Sequence, residues 1–228
     1  MDTARRAHER TAEQTTRTTW PRLSLALSLT GGVSLVATNA LAASLLDLVG
    51  ESGFLASSLV AIVLFAAGFV VSAVWFFARL AEGRVDGVVP LAICLTAATL
   101  CVNHSVAYQL DALDFRARHA ARVGIVERVE AGELWSGSPS DSVAFLPREY
   151  PTSVSNGAGQ RSIVVYRAAD ALRVVFYPTT GLLAGLLRER PAFIYSSDAA
   201  PPSLPDAVLP NAILRQELGE GWYRVTFR

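Results

Sequence analysis

Long apolar stretches alternate with short polar links over the first half of the chain. They cover residues 23–46, 55–77 and 88–110, each 23 or 24 residues long. A helix rises about 1.5 Å per residue, so roughly 20 residues cross the hydrocarbon core of a bilayer, which is about 30 Å thick. The pattern therefore predicts three transmembrane helices within residues 23–110. Residues 1–22 are polar and too few to form a core, so they are predicted to be a disordered cytoplasmic segment.

The pattern changes after residue 110. Residues 111–134 place apolar side chains at spacings of three and four, which predicts an amphipathic helix. No proline separates this helix from the third apolar run, so we predict one continuous rod. Farther on the period falls to two, which is typical of strands, and residues 162–167 with 172–177 and 213–217 with 222–227 predict two hairpins.

Together these patterns predict a multi-span α-helical membrane region, with three transmembrane helices, followed by an α+β domain over residues 111–228. In that domain one long helix packs on an antiparallel sheet of about five or six strands. About 115 residues suffice for one core without disulfides. Cys94 and Cys101 lie about 10 Å apart along one helix, which is too far for a disulfide between them.

The arginines predict the orientation in the membrane. The segment before the first run carries five arginines, the first link carries Asp47 and Glu51 but no arginine, and the second link carries Arg79 and Arg84. Because basic flanks stay in the cytoplasm, the N-terminus is expected inside and the C-terminal domain outside the cell membrane.

Two observations leave alternatives to this orientation. Arg116, Arg118 and Arg122 follow the third run closely and favour a domain inside, although the first helix usually sets the orientation. Ala40-Leu41-Ala42 resembles the A-x-A site of a signal peptide, and cleavage there would leave two spans and the same place for the domain.

Composition argues against several classes of function. The net charge is zero, and the domain balances 13 arginines against 13 acidic residues, so no basic surface for nucleic acid is expected. His104 and His119 are about 22 Å apart on a continuous helix, so no metal site or other cofactor is predicted. Ser196-Ser197-Asp198 is a hydrolase candidate only in residue type, because no G-x-S-x-G elbow surrounds it.

Candidate contact residues fall into two groups. Exposed aromatic side chains anchor interfaces, and the domain is rich in them, so we predict a recognition surface formed by Tyr177, Tyr195, Trp222 and Tyr223. Polar side chains within apolar runs bond across helices or line a polar path, and those singled out here are Asn39, Asn103 and His104.

The segments Phe193-Ile194-Tyr195-Ser196-Ser197 and Gly221-Trp222-Tyr223 resemble a family of short, uncharacterised bacterial membrane-anchored domains. In these domains a helix precedes a sheet, "YSS" leads into a proline loop, and a "WY" strand closes the chain. The resemblance covers residues 115–228 and leaves the apolar runs outside. It implies the helix-plus-sheet fold and no particular activity.

The sequence therefore predicts a module for recognition, sensing or assembly at the membrane, without catalytic activity. Its expected partners are the lipid bilayer and either another protein or a second copy of the chain, because no cytoplasmic effector domain is present. Two alternatives remain open at this point: an accessory subunit of a transporter or channel, and a membrane-anchored hydrolase using Ser196 or Ser197.

Overall fold

The computed structural model describes residues 2–135, 142–155, 161–168, 171–179, 189–198, 200–204 and 208–227, with only the backbone described for residues 2–18. The sequence also predicts a turn at residues 137–139, a loop at 156–159 and an apolar helix or strand at 181–187, and all three lie outside the described residues. The chain divides into two compact units. The membrane unit comprises Met1–Thr38 and Ala56–Cys101, and the domain unit comprises Asn39–Leu55 and Val102–Arg228.

Four helices are described: α1 (Asp2–Ala40), α2 (Ala42–Ala81), α3 (Val88–Val102) and α4 (His104–Glu130). The helix α2 is kinked at Gly50, whose φ of 71° lies in the region that favours glycine. The kink separates a short helix at residues 42–49 from the long helix at residues 51–81.

Two helices are long and apolar enough to cross a membrane, namely Thr19–Ala40 and Ala42–Ala81. If the bent pair formed by α3 and α4 is taken as one span, the number of candidate spans rises to three. Many large apolar side chains of these helices face outward, among them Val63, which is 65% exposed. Such an outer surface suits lipid, because a soluble protein rarely exposes apolar patches of this extent. The protein is therefore membrane-associated, with two to three candidate spans.

The helix boundaries differ from the sequence prediction in three places. The first apolar run turns at Leu41, so residues 42–46 do not continue α1. The backbone is helical from Asp2, where a disordered segment was expected. The third run breaks at Asn103, which leaves α3 with 15 residues, about 22 Å of helix.

The break at Asn103 has a local cause. The backbone of Asn103 is extended, and its side-chain oxygen accepts hydrogen bonds from the main-chain N–H groups of Ser105 at 2.9 Å and Val106 at 3.2 Å. An asparagine that caps a new helix in this way satisfies N–H groups that would otherwise lack partners. The prediction of one continuous rod was therefore wrong.

The helices α1 and α2 approach each other closely at glycines. A Cβ atom at Gly31 would lie 2.7 Å from the main-chain oxygen of Leu64, and one at Gly68 would lie 2.8 Å from that of Leu27. Contacts at higher α1 numbers fall at lower α2 numbers, so the two helices are antiparallel. Small residues at such contacts are typical of membrane helices, in which packing brings the backbones together.

The domain contains one antiparallel sheet of six strands in the order β1-β2-β3-β4-β6-β5. Both predicted hairpins are confirmed, with β2 paired to β3 and β5 paired to β6. The strand bounds are β1 (Val143–Phe145), β2 (Ser162–Ala168), β3 (Ala171–Phe176), β4 (Arg190–Ser196), β5 (Ala212–Gly219) and β6 (Trp222–Phe227).

Each face of the sheet carries its own core. On one face the side chains of Val174, Phe193 and Trp222 pack against α4 through Phe115 and Val126. On the opposite face a second cluster is formed by side chains including Val175, Ile194, Val225 and Leu209. Because successive side chains of a strand point to opposite faces, β3 is buried at every position.

Candidate functional site

A charged junction joins the link at residues 39–55 to the domain. We define it by Asp47, Asp114, Arg118, Arg122 and Ser153. The carboxylate of Asp47 accepts hydrogen bonds from the main-chain N–H of Ser153 at 3.0 Å and from the hydroxyl of the same residue. Arg118 donates to the Ser153 hydroxyl at 2.7 Å and lies 3.7 Å from the Asp47 carboxylate. The junction thus connects residues 106 positions apart in the chain.

The inner half of the junction is a buried ion pair. Arg122 is fully buried and donates to the Asp114 carboxylate at 2.7 Å, while Arg118 donates to the other oxygen of Asp114 at 2.7 Å. The Arg122 guanidinium also lies 4.7 Å from the ring centre of Phe193, within the range of a cation–π contact. Burial lowers the pKa of Arg122, and the charge of Asp114 opposes that shift. With two carboxylates and two guanidiniums, the junction is neutral.

The junction continues into the sheet through a short 3-10 helix, Thr152–Val154. Arg122 donates to the main-chain oxygen of Val154 at 3.2 Å. The hydroxyl of Ser155 donates to the main-chain oxygen of Ser162 at 2.7 Å and accepts from the N–H of Tyr177 at 3.0 Å. Hydrogen bonds of the consecutive residues Ser153, Val154 and Ser155 therefore connect Asp47 of the link, α4 and strand β2, and the link is fixed to the folded core.

The predicted aromatic surface does not form. Trp222 and Tyr223 are buried, and Tyr177 and Tyr195 are half-buried. Tyr195 and Trp222 are directly paired on one face of the sheet, whereas Tyr177 and Tyr223 belong to the opposite face. The Tyr195 hydroxyl donates to Glu130 at 3.3 Å, and burial together with that carboxylate raises the pKa of Tyr195. The prediction of a single exposed recognition surface is therefore corrected. The four residues lie on two faces of the sheet and are buried or half-buried.

Ser196 lies in a buried polar cluster on the sheet. Its hydroxyl donates to the Asp198 carboxylate and accepts from the Arg173 guanidinium. The hydrogen bond from Ser196 is the main reason that the pKa of Asp198 lies below its usual value. A general base works best with a pKa near the working pH, so Asp198 is poorly suited to activate this serine.

His119 does not complete a catalytic group with Ser196. It packs against the rings of Phe115 and Trp222, with centroid distances of 5.1 and 5.7 Å, on the face covered by α4. Ser196 follows Tyr195 along β4 and therefore belongs to the opposite face. Within the described part of the chain, no group of three His, Cys, Asp or Glu residues is arranged to hold a metal ion.

The three polar residues of the apolar runs all belong to the domain unit. Asn39 is half-buried and belongs to the domain unit. Asn103 caps α4, and His104 is the exposed first residue of that helix. The polar contacts between α1 and α2 include serine hydroxyls that were not predicted as site residues. Ser28 and Ser72 are 2.6 Å apart, and Ser24 and Ser72 are 3.3 Å apart.

The described residues also include exposed apolar features, among them a groove and an edge strand. In the membrane unit a groove of about 640 Å³ runs between α1 and α3, and its lining includes Gly32, Val36, Ile93 and Ala97. In the domain the edge strand β1 exposes Val143 and Phe145, which are 41% and 65% exposed. Among the described residues, β1 pairs with β2 alone.

No family model matches this chain, and no curated protein or solved structure is detectably similar to it. The resemblance of residues 115–228 to a family of short bacterial domains therefore rests on its short motifs, and function has to be argued from the geometry above.

Proposed function

We propose that this protein is a membrane-anchored recognition module without catalytic activity, whose domain stands outside the cytoplasm and binds a partner protein. The observation that carries the proposal is the charged junction. It fixes the link between the first two spans to the domain, so the link and the domain form one folded unit.

The path of the chain supports a domain on the outer side. Antiparallel spans in α1 and α2 put residues 39–55 and residues 82–87 at opposite ends of the helix pair. The domain begins after residue 102 but packs with residues 39–55. A third crossing within residues 88–102 would connect residues 82–87 with the domain that packs with residues 39–55. Since the arginines place the N-terminus inside, residues 39–55 and the domain would lie outside.

The exposed edge of the sheet supports a role in recognition. Phe145 is the most exposed of the large apolar side chains described in the sheet and its loops. An edge strand that carries such side chains offers both apolar contact and main-chain hydrogen bonds to an extended segment of a partner. The bonded state of Ser196 and the position of His119 give no comparable support to a hydrolase.

Cysteine labelling in intact cells tests the orientation. In a Cys94→Ala, Cys101→Ala background, single cysteines replace Glu51, Arg84 or Glu217. A membrane-impermeant maleimide is expected to label positions 51 and 217 in intact cells, and position 84 only after the membrane is permeabilised. Labelling of position 84 in intact cells, or of position 217 only after permeabilisation, would contradict the proposed orientation.

Photo-crosslinking in native membranes tests recognition. A photoreactive phenylalanine analogue replaces Phe145, and the same analogue at Leu214 is the control, because β5 forms the other edge of the sheet and Leu214 is 38% exposed. A discrete adduct is expected from position 145 and not from position 214. Recovery of the uncrosslinked chain alone from position 145 would count against a partner at this surface.

A further inference from the structure

The segment between the first two spans is an amphipathic helix with most of its apolar stripe exposed. We call residues 41–49 the interfacial segment. The N–H of Leu45 donates to the main-chain oxygen of Leu41 at 2.8 Å, so helical bonding begins there. Leu41, Leu45, Leu48 and Val49 recur at positions i, i+4, i+7 and i+8, which is one helix face. Leu41, Leu48 and Val49 are 54%, 80% and 44% exposed, whereas Leu45 is half-buried against Ala42, Leu46 and Phe54.

The other side of the same segment is occupied. Ala42 and Leu46 are buried with Phe54 in a small cluster, and the Asp47 carboxylate is held by Ser153 and Arg118. These contacts fix the rotation of the helix about its axis. Leu48, one position beyond Asp47, is thereby turned about 100° away from the domain contact.

We propose that the interfacial segment lies in the lipid headgroup region and inserts Leu41, Leu48 and Val49 into the bilayer surface. The bilayer is the expected contact of this exposed stripe because the segment is continuous with both spans. The segment begins directly after α1 and ends at the Gly50 kink, after which the long part of α2 crosses back. Both ends are thus held at the membrane, so bilayer lies within reach of its exposed leucines. The inference rests on the proposed function only in taking α1 and α2 as spans.

The charges indicate the kind of lipid contact. The link carries Asp47 and Glu51 and no arginine, so it lacks the basic face with which interfacial helices attract anionic lipids. Contact through apolar side chains alone is therefore expected to be independent of anionic lipid. The covalent connection to two spans replaces the electrostatic attraction that a free amphipathic helix would need.

Depth-dependent fluorescence quenching tests this proposal. The full-length chain, with Cys94→Ala and Cys101→Ala, carries one environment-sensitive label at Leu48→Cys and is reconstituted into phosphatidylcholine vesicles. Nitroxide lipids quench either near the headgroups or near the ends of the acyl chains. Leu59→Cys, at a 56% exposed position inside α2, is the reference for deep burial, and Glu217→Cys on the domain is the reference for water.

At position 48 the shallow nitroxide is expected to quench about twofold more than the deep one, with the order reversed at position 59 and neither effective at position 217. Leu41→Cys, on the same stripe, should repeat the result and guards against a local defect of one variant. The same quenching is expected after part of the lipid is replaced by phosphatidylglycerol.

Two results would overturn the proposal. A label at position 48 that behaves like position 217 would mean that water or a protein, such as a second copy of the chain, covers the stripe. A label that behaves like position 59 would mean that the segment lies within a span. A domain on the cytoplasmic side would leave the quenching pattern unchanged, so the failure of the proposed orientation is seen separately in the labelling of intact cells.

Discussion

The membrane unit and the domain bury their polar groups in different ways. Between α1 and α2 the buried polar groups are hydroxyls: the Ser28 and Ser72 oxygens lie 2.6 Å apart, and each hydroxyl is also within hydrogen-bond distance of a main-chain oxygen one turn back. In the domain the buried polar groups include Arg122 and Arg173. Arg122 donates directly to the Asp114 carboxylate, and Arg173 donates to Ser196, whose hydroxyl donates to a further carboxylate. In both places these groups find hydrogen-bond partners, because an unpaired one is costly. Among the described residues the Ser58 hydroxyl of the membrane unit and the Arg224 Nε of the domain are among the exceptions.

The packing differs for a physical reason. Lipid is as apolar as leucine, so apolar side chains between membrane helices add little, and close contact of backbones at Gly31 and Gly68 takes their place. In the domain, burial of large side chains such as Phe176 and Trp222 removes apolar area from water and supplies the main stabilisation. The same substitution type should therefore have opposite effects in the two regions.

The largest effect is expected at the buried ion pair of the domain. Asp114→Asn leaves Arg122 buried without a charged partner, which typically costs about 3–5 kcal/mol. Arg122→Met should cost clearly less, because Asp114 keeps its bond to Arg118 at 2.7 Å. Urea unfolding of the full-length chain in micelles, followed by tryptophan fluorescence, measures both. Equal losses in the two variants would show that the burial of Arg122 does not govern stability here.

Glycine-to-alanine substitutions test the comparison directly. Gly68→Ala places a methyl group 2.8 Å from the main-chain oxygen of Leu27, and such overpacking costs about 1–3 kcal/mol. Gly124→Ala in α4 meets no atom within 4 Å and should stabilise the domain by about 0.5–1 kcal/mol, because alanine favours helix. Thermal unfolding in one detergent compares them. A loss of stability in both variants would contradict the opposite effects expected for the two regions.

The junction itself should respond to the loss of Asp47. Asp47→Ala removes the acceptor for Ser153 and a charge near Arg118, at a cost of about 1 kcal/mol because the carboxylate is partly exposed. Hydrogen exchange should quicken at residues 42–49 and 151–155 and stay unchanged in β3 and β4. Glu51→Ala, at an exposed carboxylate of the same link, is the control. Unchanged exchange at residues 151–155 would mean that the link does not stabilise the 3-10 helix.

Local patterns predicted the local structure. The period of two in residues 162–167 and 172–177 predicted the hairpin of β2 and β3, which the pairing of Val165 with Val174 confirms. The same rule separates Trp222 from Tyr223, because neighbouring positions of a strand face opposite sides. If this alternation had been applied to the four aromatic residues of the predicted recognition surface, it would have shown that they cannot all lie on one face of the sheet.

Long-range contacts had no such signal. Asp47 and Ser153 are 106 positions apart, and no periodicity relates them, so docking of the first link on the domain could not be predicted. The break at Asn103 was hidden in an apolar run of 23 residues, although asparagine is a preferred residue at the N-terminal cap of a helix. Apolar length shows that a segment suits lipid and does not show whether it remains a single helix.

The smallest effect is expected in the pH dependence of the domain. The hydrogen bond from Ser196, and the nearby Arg173, hold the pKa of Asp198 below its unfolded value of 3.8. A carboxylate with a lowered folded pKa adds stability that is fully present above the unfolded pKa and is lost as the pH falls through the folded pKa. Stability should therefore fall below about pH 4, and Asp198→Asn should flatten that part of the curve. Ser197→Ala, which leaves this carboxylate in place, should keep the wild-type slope. A slope in Asp198→Asn equal to that of the wild-type chain would show that other carboxylates produce the acid dependence.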